Sequence, residues 1–247
     1  MAVLAAFAGL LAVLSSWIVG GRLLLLARSS RRAPELLIGL GLVMMGGLWS
    51  PLVAVGRQAT ALSDPLRAAL VATGALCGVA GISSLAAFNW RVFRSADAWA
   101  RALAISVGLA LVASFAFQGL ASSWDVYARE ERGPWIASTW ILVANYAWAN
   151  LEAWRAHAML VRRRKLGLAD PVVVDRMRLW ALALLASLIA AGTAALCQAL
   201  GVPMGGTRVG LWLSCVAALS AGTFLLLAFL PPSSYLERVR RRAAANA

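Results

Sequence analysis

Seven long apolar runs dominate the chain, at approximately 2–27, 35–55, 68–90, 99–121, 135–158, 177–200 and 208–230. Each is at least about 20 residues, the length at which a helix rising 1.5 Å per residue crosses a hydrocarbon core of about 30 Å. Inside lipid the backbone must satisfy its own hydrogen bonds, so such a run folds as a helix or belongs to a closed barrel. None of the runs alternates polar and apolar residues, and none has the roughly ten-residue length of a barrel strand. Of the 247 residues, 62% are hydrophobic and 13% charged, against about 45–50% and about 25% in soluble domains. The expected fold is therefore all-α: a single seven-transmembrane-helix bundle over residues 1–247, with 233–247 as a short basic cytoplasmic tail.

The loops indicate orientation. Lys165 is the only lysine among 23 basic residues. Seventeen fall on one side of the expected membrane: Arg28, Arg31, Arg32, Arg91, Arg94, Arg101, Arg155, Arg162, Arg163, Arg164, Lys165, Arg176, Arg178, Arg238, Arg240, Arg241 and Arg242. The other side holds Arg57, Arg67, Arg129, Arg132 and Arg208, and Arg22 lies inside the first run. Basic residues in short loops mark the cytoplasmic side, so the N-terminus is expected outside and the C-terminus inside, in a bacterial cytoplasmic membrane. The net charge of +13 is thus read as membrane orientation and not as nucleic-acid binding. Anionic lipid head groups are the expected partners of the cytoplasmic face, with an acidic cytoplasmic protein as the other candidate. The first run lacks a basic n-region and is expected to be retained as a helix. No loop is long enough for a soluble effector domain, and the sequence gives no oligomeric state.

Polar residues inside the runs are the candidate functional groups. The fifth run is the most polar, with Ile141, Asn145, Trp148, Glu152 and Arg155 along one helical stripe and Tyr146 beside it. An ionisable residue within a span is costly and is usually paired or faces water. Glu152 is expected to pair with Arg22, at similar depth on the first helix, or locally with Arg155, with Asn89 of the third run joining them. Towards the outside, Trp49, Gln118, Trp140 and Gln198, with Trp135, are expected to line a cavity that faces outwards. Pro51 should kink its helix there and free backbone groups. The loop from Ser122 to Trp135, rich in acids and aromatics, is a candidate lid or an interfacial belt.

Other features read as structure. Gly39, Gly41, Gly46 and Gly47, then Gly74, Gly78 and Gly81, follow small-xxx-small spacing and predict close helix approach. Gly167, Asp170 and Pro171 predict a helix stop, an N-cap and a first-turn proline. Cys77, Cys197 and Cys215 lie in apolar runs with no metal-ligand spacing.

Several functions are excluded. The seventh run has no lysine to hold retinal, and His157 is the only histidine, too few for a multi-histidine zinc site or bis-histidine haem. No cofactor or metal site is expected, and no nucleophile–base pair is evident. The leading expectation is a receptor-like or sensory protein that binds a small ligand or partner within its helices. A facilitative transporter or channel for a small neutral or anionic solute is the alternative.

Overall fold

The computed structural model describes residues 2–122, 124, 132–202 and 208–245. Among these residues eight helices follow one another: α1 (Ala2–Ser30), α2 (Ala33–Gln58), α3 (Asp64–Phe93), α4 (Ala98–Ser122), α5 (Arg132–Lys165), α6 (Pro171–Ala199), α7 (Arg208–Phe229) and α8 (Ser233–Ala245). No strand occurs among the described residues. Six helices, α1 to α4, α6 and α7, are long and apolar enough to cross a membrane. α5 is the longest, at 34 residues. Asn145, Asn150, Glu152, Arg155 and His157 make it more polar than the other six.

α1 packs on α2 and α7, α2 on α3, α3 on α5, α5 on α6 and α6 on α7, which closes a ring. α4 packs on α3 and α5 from outside that ring. Two faces result. One carries the α1–α2, α3–α4 and α5–α6 connections and α8, and is rich in arginine. The opposite face carries the start of α1, the α2–α3 connection and the ends of α4 and α6.

Small residues set the approach of α2 to its neighbours. A methyl group on Gly20 would lie 2.8 Å from Val43 and 3.0 Å from the Gly39 carbonyl, so α1 and α2 touch backbone to backbone. Gly74, Gly78 and Gly81 bring α3 equally close to Val53, Trp49 and Met45 of α2. Such contacts replace the hydrophobic driving force that lipid cannot supply between helices.

α2 contains a π-helical stretch, Leu42–Trp49, immediately before Ser50 and Pro51. Proline has no N–H, so Pro51 cannot bond the carbonyl four residues back, that of Gly47. The Trp17 indole N–H of α1 donates to that carbonyl at 3.1 Å. At the end of α2, Arg67 is buried and donates from Nε to Gly56 O and from a terminal nitrogen to Arg57 O, both at 3.1 Å. It satisfies carbonyls that the helix end leaves open.

The α5–α6 turn follows the local residues. Gly167 takes φ 71°, a left-handed conformation that suits glycine. Asp170 accepts from Val172 N at 2.8 Å, and Pro171 opens α6.

Residues 233–247, expected as a short basic tail, contain α8, which packs on α6. The Tyr235 hydroxyl donates to the Asp175 carboxylate at 2.5 Å. Burial, and then this bond, push the Tyr235 phenol above its ordinary value. A raised folded-state pKa means the contribution is complete below about pH 10 and is lost as pH rises through the folded value. Alkaline titration should therefore show the tyrosinate signal that Tyr235→Phe removes appearing late, together with loss of α8 docking. An ordinary titration at that position would refute the coupling.

Candidate functional site

A cavity of about 690 Å³ lies inside the ring, lined by α1, α2, α5, α6 and α7, with Leu85 from α3. Its wall runs from Ala5, Gln58, Trp135, Gln198 and Leu211, near helix ends on the face opposite the arginines. It ends at Ile38, Leu85, Trp180, Leu184 and Leu225, which belong to a buried apolar cluster with Val19, Leu23 and Phe88. The end towards the arginine-rich face is thus closed by packed hydrocarbon.

Polarity is graded along the wall. Hydroxyls in the middle are already engaged by their own helices: Ser15 and Ser16 donate to Ala12 O, Thr139 to Trp135 O and Ser187 to Ala183 O, at 2.8–3.0 Å. The Tyr146 hydroxyl faces the Met45 sulfur at 3.5 Å. Two buried lining atoms meet no partner among the described residues, Gln198 Oε1 and Ser214 Oγ, both nearer the face opposite the arginines. Arg57, also lining that end, stacks over the Trp135 ring at 4.8 Å.

Trp49 and Gln198 thus line the cavity, as the sequence suggests, with Trp135 and Tyr146. Two expectations need correction. Gln118 belongs to a separate pocket of about 30 Å³ that it shares with Trp49, Leu111 and Trp124. Trp140 is 43% exposed and is not part of the wall. It projects from the bundle on the helical face away from Thr139 and Leu142. The loop residues 125–131 lie outside the described residues.

A second polar site joins α3 and α5. These helices run parallel, and their contacts keep nearly constant spacing: Asn89 donates to Asn145 at 3.5 Å, and Arg94 to Glu152 at 3.0 Å. Asn145 in turn donates to Ile82 O at 3.0 Å. Glu152 is 4% exposed and also accepts from Arg155 at 3.1 Å. Arg94 bridges on to Asp97 at 3.4 Å, and the bond to Glu152 pushes its guanidinium above its ordinary value. The Trp148 ring packs 6.0 Å from Trp99.

The expected Arg22–Glu152 pair does not form. Arg22 is exposed, and α1 packs on α2 and α7, on the other side of the ring from Glu152. Asn89 joins Asn145 instead of the carboxylate. Arg94, the partner that sequence reasoning missed, sits just past the end of α3, where it reads as a loop charge. Asn89 on the same helix end is the available signal, because a residue facing α5 so near the end of α3 brings the chain just beyond it close to α5.

The fold and sites define a class and no more: an all-helical membrane protein with a deep internal cavity. Comparison with known proteins finds no matching family model, no matching curated protein and no matching solved structure.

Proposed function

We propose that the chain is a receptor-like membrane protein of seven spans, with α5 as the seventh. Its N-terminus is outside, and it binds a small, largely apolar ligand in the outward-opening cavity. The observation that carries this reading is the run of the cavity, from Gln58, Trp135 and Gln198 near one face to Ile38, Trp180 and Leu225, packed in an apolar cluster, towards the other. A continuous polar path would favour transport; a closed apolar floor favours occupancy and signalling. The described lining contains no aspartate, glutamate or histidine to act as a base, which favours binding over catalysis. Asn145 and Glu152 are buried against the neighbours of α5, which supports its crossing despite them.

The arginine-rich face is then cytoplasmic, in a bacterial inner membrane. There α8 and the Arg162–Lys165 run lie at the level of anionic head groups, each cation contributing about 1 kcal/mol of attraction. An acidic cytoplasmic protein is the partner such a face would signal to.

Native mass spectrometry of protein purified from its membrane tests the cavity. Wild type should retain one small molecule per chain, and Ala218→Phe, which fills the lumen, should lose it. In intact cells, membrane-impermeant labelling of a variant without Cys77, Cys197 and Cys215 should reach a cysteine at Gly133 and spare one at Leu166. Identical spectra for both proteins would sink the ligand reading, and the opposite labelling would sink the orientation.

A further inference from the structure

Building on the proposed ligand cavity, we infer that its occupant is a single-chain amphiphile, a hydrocarbon tail ended by an anionic head. The tail lies along the lumen and the head meets Arg57, Gln198 and Ser214.

The dimensions argue for one chain. Trp180 at the floor and Gln198 near the mouth are separated on α6 by about 27 Å of helix at 1.5 Å per residue. Spread over that depth, about 690 Å³ makes the lumen much longer than it is wide. A lumen of this length and form accommodates an extended hydrocarbon chain laid along it. A compact ligand of several fused rings would leave most of the depth empty.

The chemistry of the wall argues for an amphiphile. Below the mouth every serine and threonine with a resolved bond is turned onto its own helix, and the floor is wholly hydrocarbon. At the mouth the situation reverses. Among the described residues Gln198 Oε1 and Ser214 Oγ are buried without partners, a state that costs free energy unless something else bonds them. The Arg57 guanidinium meets no carboxylate among the described residues. It is positioned over Trp135, leaving its N–H edges available for an acidic oxygen. One cation, one hydroxyl and one amide at the end of an apolar tube match a carboxylate or a phosphate carried on an acyl chain.

The head could belong to a free fatty acid or to an anionic bilayer lipid that inserts one chain, and the test separates them. Wild type, Arg57→Gln, Arg57→Lys and Ala218→Phe are placed in phosphatidylcholine nanodiscs. Binding of palmitate, of hexadecanol and of added phosphatidylglycerol is then measured. Palmitate should bind one per chain, about tenfold or more weaker in Arg57→Gln and largely restored in Arg57→Lys. Hexadecanol should bind more weakly and ignore Arg57, and Ala218→Phe should lose both. Phosphatidylglycerol showing this pattern in place of palmitate keeps the site and makes the bilayer its source. Palmitate and hexadecanol binding equally, with Arg57→Gln silent and Ala218→Phe still blocking, overturns the amphiphile while leaving the cavity reading intact. Binding of either that Ala218→Phe does not change overturns both.

Discussion

Gly81→Ala is expected to lower the unfolding free energy by about 1–3 kcal/mol, the usual cost of forcing one methyl group into a filled interface. The added carbon would lie 2.8 Å from both the backbone N and Cβ of Met45 and 3.2 Å from the Gly41 carbonyl. Two of these atoms are backbone and none is the far end of a flexible side chain, so α2 and α3 must separate. Gly192→Ala is the matched control. That glycine lies in α6 with nothing within 4 Å of the added carbon. Alanine there should leave stability unchanged or raise it by about 0.5–1 kcal/mol through helix propensity. Thermal unfolding of the detergent-solubilised variants, read by loss of the monodisperse peak, ranks the two. Equal midpoints would mean that α2 and α3 are not in backbone contact at Gly81.

The ion cluster gives the second large effect, and its sign pattern is unusual. Arg94→Ala should destabilise more than removal of the acid itself by Glu152→Ala. Glu152 is nearly fully buried, whereas Arg94 and Arg155 are 30% and 54% exposed. Long arginine side chains can carry their charge out to water when their partner is gone. A buried carboxylate stripped of its closest cation has no such escape. The double variant Arg94→Ala with Glu152→Ala should therefore recover most of the melting temperature lost by Arg94→Ala alone, while Arg22→Ala should match wild type. Additive losses in the double variant would contradict the pairing.

How far these features can be read from sequence depends on their range. Span positions follow from apolar length, a local property, and every described run is helical, extended by residues such as Asp64–Arg67 that the lipid pattern does not require. Glu152 stands out because a carboxylate amid Trp148, Leu151 and Trp154 must be accommodated somehow. Its partner does not stand out, because pairing depends on which helices neighbour each other, and nothing in the spacing of Arg22 or Arg94 encodes the ring order. Trp140 is harder to place for a related reason: the polar stripe of α5 begins only at Asn145, and around Trp140 the run Ile141, Leu142 and Val143 gives no periodicity to say which face turns inwards. α8 is different. Leu236 and Val239 against Arg238, Arg240 and Arg241 form an amphipathic pattern after Pro231 and Pro232, legible once a surface helix is considered.

The wide turn in α2 decides what that helix shows to the lumen. The lining pairs Gly41–Leu42, Met45–Gly46, Trp49–Ser50, Val53–Ala54 and Arg57–Gln58 recur every four residues. An ordinary α-helix gains about 40° with each such step, or roughly 160° over the four steps, enough to turn Arg57 to the far side. Bonding to the fifth residue winds more residues into each turn and absorbs that drift over Leu42–Trp49. The stretch works as a rotational vernier: one residue fewer within it would leave the floor at Ile38 in place and swing the mouth of the cavity out of register.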